Sequence, residues 1–326
     1  MLQKVSSSRI AVVGAGLAGL AAARKLHRAG YAVTVFDKGR GLGGRMATRR
    51  TEGPFVFDHG AQFFTARSQT FQAELEQMAA ASRWQPEIAD GVTLESEGWW
   101  VGQPAMNALP KAFADGLSVT TGTRIVSIDY ASEGWRLQTE DGEQAGPFDG
   151  LVLAIPSVQA QDLLEGKDDG LAAELSRVEV DPCWAVMAGF NIALELEYDL
   201  YADALADVAW IAVNGSKPGR PVQGTSLVLH ASPEWSRTHL ELEPDQIAPL
   251  VLAQAEKQIG LRLPPPDYLT AHRWRYAKTR VPAGKPFLAS GDLPLLLCGD
   301  WCLGARVEYA FESGIAAADA VIAQAG

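Results

Sequence analysis

The stretch IAVVGAGLAGLAAARKLHRAGYAVTVFDKGRGLGGRMATRR, residues 10–50, has the strand–turn–helix–strand order of a dinucleotide-binding unit. A β-branched run at residues 10–13 meets Gly14, Gly16 and Gly19 in G-x-G-x-x-G spacing, and alanine and leucine at helical spacing follow. Gly14 allows the sharp turn, Gly16 lets the backbone approach a pyrophosphate, and Gly19 lets the helix pack closely on the strand.

A second strand, residues 32–36, ends in Asp37, whose carboxylate can accept hydrogen bonds from ribose hydroxyls. The amides and the positive dipole end of the first helix would face the phosphates. Because strand, turn, helix and acid agree, we predict a dinucleotide site here and not an ordinary βαβ turn. We expect no signal peptide, because the phased glycines suit a turn and Arg24-Lys25 ends the apolar run early.

The overall composition narrows the class of protein. With 326 residues and 47% apolar content, the chain can bury a large core, in two domains or one elaborated α/β unit. A net charge of −11 argues against nucleic acid and anionic membranes as partners. The three cysteines form no C-x-x-C pair, which predicts reduced thiols and a cytoplasmic location. We expect no membrane span and, from the spacing of the five histidines, no metal.

A glycine-rich loop follows Asp37, with four glycines within residues 39–44, closed by Arg45. Such a loop can lie on a pyrophosphate while the planar guanidinium forks onto phosphate oxygens. The alternative is a flexible linker with solvated arginines.

With these two motifs the chain resembles the flavin-dependent amine oxidase superfamily, in which this loop binds FAD. Three later segments add to the likeness: residues 122–126, the strand 148–156 ending in Ala-x-Pro, and Gly299-Asp300 followed by VEYAFESG at 307–314. The resemblance implies non-covalent FAD, with Cys302 as the residue that leaves covalent attachment open. The implied cofactor-binding residues are Gly14, Ala15, Gly16, Leu17, Ala18, Gly19, Asp37, Lys38, Gly44, Arg45, Met46, His59, Gly60, Ile125, Val126, Gly299, Asp300, Val307 and Ala310.

Within that superfamily, FDHGAQFF at 57–64, PCW at 182–184 and HRWRYA at 272–277 look like the renalase branch. The resemblance implies oxidation of 2- and 6-dihydro isomers of NAD(P)H by hydride transfer to flavin N5, with O₂ giving H₂O₂. The amine oxidases carry a lysine on a strand comparable to CWAVMAGF at 183–190, and this segment has none. Flavin N5 carries the chemistry, so no catalytic side chain is assigned. The substrate-binding candidates are His59, Ala61, Gln62, Phe64, Trp184, Trp274, Arg275 and Arg306.

Each candidate also has a structural interpretation. His59 could be a hydrogen-bonding residue of the fold, and Trp184 a core residue. Strand alternation places Arg275 opposite both Trp274 and Tyr276, so the arginine serves either a phosphate or the surface. Arg306 could bind an anionic substrate or pair with Glu308 or Glu312.

The predicted fold class is α/β: a Rossmann-like FAD-binding domain with a parallel sheet, and a smaller substrate domain on a mainly antiparallel sheet. The expected boundaries are 1–62, 104–157 and 283–326 for the first, and 63–103 and 158–282 for the second. We also predict helices at 68–80, around 106–113 and at 246–259, a hairpin at Asp90-Gly91, and loops at 214–220 and 263–267. Two other functions stay open: a flavin amine oxidase or desaturase, and a non-catalytic FAD-binding redox sensor.

Overall fold

The computed structural model describes residues 8–90 and 98–324. The chain divides into two discontinuous compact units. Unit 1 takes the described parts of Met1–Gly44, Pro110–Glu179 and Thr279–Gly326, and unit 2 takes those of Arg45–Leu109 and Val180–Lys278. Across the described residues, no helix is both long enough and apolar enough to span a membrane.

The strands are, in chain order, β1 (Arg9–Val13), β2 (Ala32–Phe36), β3 (Thr48–Arg50), β4 (Val56–Asp58), β5 (Phe64–Thr65), β6 (Ala81–Arg83), β7 (Trp99–Gly102), β8 (Ser118–Thr120), β9 (Ile125–Ala131), β10 (Gly134–Thr139), β11 (Gln144–Phe148), β12 (Gly150–Leu153), β13 (Glu179–Phe190), β14 (Leu200–Ala202), β15 (Val208–Val213), β16 (Thr225–Ala231), β17 (Tyr268–Val281), β18 (Leu288–Ala289) and β19 (Leu295–Leu297). The α-helices are α1 (Leu17–Arg28), α2 (Gln69–Met78), α3 (Ala108–Ala114), α4 (Ser157–Leu164), α5 (Asp169–Leu175), α6 (Pro233–Thr238), α7 (Pro244–Ile259) and α8 (Val307–Gln324).

Unit 1 is built on a sheet with the order β18-β19-β12-β1-β2-β8, in which every pair is parallel except β18 with β19. Its inner strands are short apolar runs with almost no exposed residue, as strands covered on both faces require. Helix α1 packs closely against α8, where a Cβ on Gly314 would lie 2.1 Å from the Ala18 carbonyl oxygen. The strands β11-β10-β9 form a separate antiparallel sheet.

Unit 2 is built on a sheet with the order β14-β15-β16-β13-β17, and the registered pairs in it are antiparallel. One face of this sheet packs on the apolar side of α7, where Ile247, Val251 and Ala255 are fully buried. Two smaller antiparallel sheets, β3-β4 and β5-β7-β6, complete the unit. The α/β fold class with a parallel sheet and antiparallel sheets is therefore confirmed.

Several details differ from the predictions. By contacts, residues 45–62 and 104–109 fall in unit 2 and residues 158–179 and 279–282 in unit 1, and the two units hold nearly equal lengths of chain. The functional domain boundaries stay a prediction. Helix α7 begins at Pro244, ahead of the predicted start, because Glu243 and Gln246 form a capping box there. The predicted hairpin at Asp90-Gly91 runs into residues 91–97, outside the described residues.

Candidate functional site

The first glycine turn of unit 1 is fixed by close backbone contacts. Gly14 has φ +111°, and a Cβ there would lie 2.3 Å from the Ala154 carbonyl oxygen on the neighbouring chain segment. A Cβ on Gly19 would lie 2.0 Å from the Gly14 oxygen. The fold itself therefore requires glycine at both positions.

Gly16 has no such requirement. Its φ is −74°, which any residue can adopt, and a Cβ would meet no atom within 4 Å. Gly16 also precedes α1 without a side-chain cap, and the first bond within the helix is donated by the Leu20 amide to the Gly16 oxygen. The amides of residues 17–19 therefore have no carbonyl partner within the helix, as at any helix N-terminus. Open space beside these donors suits a pyrophosphate, so the residues fit a dinucleotide.

The second glycine loop lies against this turn. The Gly43 amide donates to the Ala15 oxygen at 2.9 Å, and Gly16 and Gly43 form a parallel bridge. Gly44 has φ +53°, and a Cβ there would lie 3.5 Å from the Gly16 Cα. The loop is thus held to the first turn by its backbone, unlike a flexible linker.

Asp37 joins the two loops. Its carboxylate accepts the Ala15 and Gly39 amides, each at 2.6 Å, and its backbone bonds to Thr120 and Thr123. A half-buried carboxylate with two oxygens retains acceptor capacity beyond these two amides. The side chain of Lys38 points elsewhere, because its ammonium donates to Gln159 at 3.0 Å.

Near the C-terminus, Asp300 is buried and accepts a hydrogen bond from the Thr279 hydroxyl at 3.2 Å. The preceding Gly299 amide donates to Ser313 at 3.0 Å. Helix α8 begins at Val307, and the Ala310 amide donates to the Arg306 oxygen. The exposed Arg306 guanidinium lies over the Tyr309 ring, 5.3 Å from its centroid.

The predicted adenine strand is β9, which starts at Ile125 and forms an edge of its three-stranded sheet. The backbone groups of an edge strand that point away from its neighbour are not used by the sheet. Ile125 is buried and Val126 is 46% exposed.

Both cysteines of the C-terminal segment are buried, and burial raises the pKa of Cys302 to about 12. A thiol is a nucleophile only as thiolate, so this residue is poorly suited to covalent attachment of a flavin.

In unit 2 the structure brings together two of the segments on which the resemblance rests. The buried His59 ring stacks on Trp274 at 5.4 Å and meets the His272 ring edge-on at 5.0 Å. Burial, followed by the neighbouring charges of His272 and Arg49, lowers the pKa of His59 to about 3. His59 is therefore neutral, and its buried Nδ1 has no hydrogen-bond partner among the described residues.

The backbone of residues 58–62 is held by side chains at three successive carbonyls. His59 O accepts from the Trp274 indole at 2.9 Å and from His230 Nε2 at 3.2 Å. The Gln62 amide nitrogen donates to the carbonyls of Asp58 and Gly60.

The Arg45 backbone also contacts this segment. Its oxygen accepts the Ala61 amide at 2.8 Å, and a Cβ on Gly60 would lie 1.9 Å from it. The Arg45 guanidinium donates to the Ala277 oxygen at 3.1 Å. Met46, which follows Arg45 in the chain and is also a predicted cofactor residue, is buried.

A buried charged cluster of Asp58, Lys217 and Arg220 was missed from the sequence. All three side chains have no exposed surface. Arg220 donates to Asp58 Oδ2 from Nε at 2.9 Å and from Nη2 at 2.5 Å, and the Lys217 ammonium lies 3.9 Å from the same oxygen. Burial alone would raise the pKa of Asp58, but Lys217 and Arg220 hold it below its ordinary value. The signal in the sequence is a pair of cations within residues 214–220, the Pro/Gly-rich segment that is predicted to be a loop.

The remaining candidates make other contacts. Trp184 is fully buried in the core on the sheet, its indole donates to His239, and Arg273 stacks on its ring at 5.1 Å. Phe64 is buried against Phe71.

Arg275 lies on the strand face opposite Trp274, as its alternation predicts. There it donates two hydrogen bonds of 2.7 Å to Glu241 at the surface. That pair is the arrangement of the surface interpretation, and the phosphate role stays a prediction.

Two family models match the chain. One, described as an NAD(P)-binding Rossmann-like domain, matches residues 12–80. The other, described as flavin containing amine oxidoreductase, matches residues 87–322, well over half of the chain.

Solved structures share the fold at low sequence identity. A protein assigned as a protoporphyrinogen oxidase from Exiguobacterium sp. 255-15 has a TM-score of 0.77 and 15% identity, covering 98% of this chain and 99% of that one. Cyclohexylamine oxidase from Brevibacterium oxydans IH-35A has a TM-score of 0.74 and 14% identity, with coverage of 98% and 99%.

A curated relative matches only locally. The 4,4'-diapophytoene desaturase (4,4'-diaponeurosporene-forming) of Staphylococcus haemolyticus (strain JCSC1435) is 53% identical over 51 residues, which are 16% of this chain and 10% of that protein. The match therefore spans a tenth of the relative's length.

Proposed function

Because the chain belongs to the family of flavin-containing amine oxidoreductases, and so is a FAD-dependent oxidoreductase, we propose that it is an oxidase of the renalase type. Its substrates are the 2- and 6-dihydro isomers of NAD(P)H, which leave as NAD(P)⁺. Each turnover removes one hydride from the isomer, and O₂ takes up the two electrons with two protons as H₂O₂. The proposal places the enzyme in the cytoplasm, with no nucleic acid or membrane partner.

The observation that carries the proposal is the cluster of His59, His272 and Trp274. These residues come from two segments that resemble the renalase branch, residues 57–64 and 272–277, and their rings are in direct contact in unit 2. The third segment, residues 182–184, belongs to the same unit, and its Trp184 is part of the hydrophobic core of that unit.

The electrostatics of this cluster support hydride transfer. When bound, FAD would supply a ring that accepts two electrons as one hydride. Burial lowers the pKa of His59 to about 3 and those of His230 and His272 to about 4, so at neutral pH all three imidazoles are uncharged. Neutral aromatic rings can pack against a flat nicotinamide and exclude water. A hydride donor needs no proton from these rings.

The proposed cofactor-binding residues include the two glycine turns of unit 1. The backbone at Gly16 and Gly44 would lie along the pyrophosphate, with Asp37 at a ribose. Arg45 and Met46, with the buried Asp300 and the α8 N-terminus at Val307, complete the set that the resemblance implies.

A flavin amine oxidase or desaturase is the second candidate, favoured by the family and by the name of the local relative. The strand β13 lacks the lysine of the amine oxidases, which argues against amine chemistry. The last eight residues of this strand, 183–190, include no lysine or arginine.

Aerobic turnover separates the candidates. Purified, FAD-loaded protein is mixed with each dihydronicotinamide isomer, with a panel of primary and secondary amines, and with a polyene. H₂O₂ is then measured together with the organic product. The proposal expects NAD(P)⁺ and H₂O₂ from the isomers alone. Peroxide from an amine and none from the isomers would select the second candidate, and no turnover with tight FAD would select a redox sensor.

A further inference from the structure

Lys217 directly follows a short 3₁₀ helix, Asn214–Ser216, and its side chain has no exposed surface. Its ammonium donates to Gln62 Oε1 at 3.0 Å and to Asn214 Oδ1 at 3.2 Å, and it lies 5.2 Å from the centre of the Trp84 ring. Buried lysines of this kind are rare unless they are paired.

The cluster does not need Lys217 for charge balance. Asp58 already pairs with Arg220, and it accepts further hydrogen bonds from the Thr48 hydroxyl and the Met106 amide. The extra cation is unfavourable, since burial lowers the pKa of Lys217 to about 7 despite the attraction of Asp58. Arg220 is the other charged group facing it, and it lowers that pKa further.

While it is protonated, the Lys217 ammonium has only donors, so it fixes which way the Gln62 side-chain amide points. The oxygen must face Lys217, and the nitrogen must then face the opposite direction. There it donates to the Asp58 and Gly60 carbonyls, on either side of His59. A neutral isostere at residue 217 would leave the amide free to rotate and to withdraw these two donors.

We propose that Lys217 is a positioning residue: through Gln62 it holds the backbone of residues 58–62 in the one conformation that presents His59 and Gly60 to the reacting groups. This inference rests on the proposed function, because it takes that segment to be part of the site. In this role Lys217 acts through Gln62, to which its ammonium donates.

The test uses the FAD-loaded full chain with Lys217→Met, which removes the donor but leaves the Asp58–Arg220 pair neutral. The matched control is Lys257→Met, because Lys257 donates to Gln254 at the surface of the same unit. Hydrogen exchange of the peptide covering residues 57–64 is measured by mass spectrometry, and the rate of flavin reduction is measured with saturating 6-dihydro-NAD(P).

We expect the Ala61 amide to exchange about tenfold faster in Lys217→Met, and flavin reduction to slow by about tenfold or more, with the control unchanged. The double variant Lys217→Met/Gln62→Met should reduce the flavin no more slowly than Gln62→Met alone. Both changes remove the same interaction, so their effects should not add.

Two results would overturn the positioning role. One is unchanged exchange at residues 57–64 in Lys217→Met. The other is an equal rise in exchange across all peptides of unit 2, which indicates a structural role alone. The exchange measurement does not depend on which substrate reduces the flavin. The exchange test of Lys217 therefore remains valid even if the proposed substrates are wrong.

Discussion

Gly16→Ala separates the demands of the fold from those of the cofactor. In the protein a Cβ at this position meets no atom within 4 Å, and the backbone there is extended, with φ −74° and ψ 175°. Alanine reduces the freedom of the unfolded chain, which stabilises by about 0.4–1 kcal/mol, and it is a poorer N-cap than glycine, which costs a comparable amount. We therefore expect the free energy of unfolding of the apoprotein to change by less than about 1 kcal/mol.

FAD binding should change much more. The new methyl group would occupy the space beside the amides of residues 17–19, where the pyrophosphate has to come close. Loss of one charge-assisted hydrogen bond costs about 1.5–3 kcal/mol, which corresponds to about 10–150-fold weaker binding. Gly14→Ala should behave differently and lose the fold, because its Cβ would lie 2.3 Å from the Ala154 oxygen at φ +111°.

The assay combines denaturant unfolding of the apoprotein with titration of FAD by flavin fluorescence. Gly291→Ala serves as the control, since it also has open space around its Cβ and is exposed. Wild-type affinity for FAD in Gly16→Ala would refute the assignment of the pyrophosphate to this turn.

Three further predictions concern other parts of the chain. Asp37→Ala should weaken FAD binding by about 1.5–3 kcal/mol through lost ribose contacts, and retention of FAD at wild-type affinity in equilibrium dialysis would remove Asp37 from the ribose. Arg275→Ala should raise the apparent dissociation constant of the substrate, while Glu241→Ala should not; a change in stability alone, with wild-type kinetics, would leave Arg275 a surface residue. Burial lowers the pKa of Lys217 to about 7 in the folded chain, against 10.5 for the free side chain. Between these two pH values the unfolded chain binds more protons than the folded chain, so the free energy of unfolding rises with pH. The free energy of unfolding of wild type minus that of Lys217→Met should therefore grow from pH 7 to pH 10 and level off below pH 7, whereas a difference independent of pH would contradict the buried cation.

The parts of the fold that follow from local sequence were predicted well. The turn at Gly14, the helix α1 and the strand β2 depend on glycine spacing and on apolar periodicity within thirty residues, and each has the expected place. Helix α7 shows the limit, because Pro249 in the sequence obscured a start that the Glu243–Gln246 capping box defines.

The Asp58 cluster could not be predicted because its members are far apart in the chain. Asp58 meets Arg220 across 162 residues, and Gln62 meets Lys217 across 155. A lysine and an arginine beside Pro218 and Gly219 have the composition of a surface loop, and charged residues are seldom fully buried. Only the folded structure shows that a carboxylate from a distant strand pairs with Arg220 and lies near Lys217.

The substrate assignment is tested most directly by a single-turnover reduction without oxygen. FAD-loaded protein is mixed anaerobically with one equivalent of 6-dihydro-NAD(P) in a stopped-flow instrument, and the visible flavin band is followed while the nicotinamide product is identified. We expect rapid bleaching with one equivalent of NAD(P)⁺ formed per flavin. An oxidised spectrum that persists with both dihydro isomers, and bleaches with an amine, would contradict it.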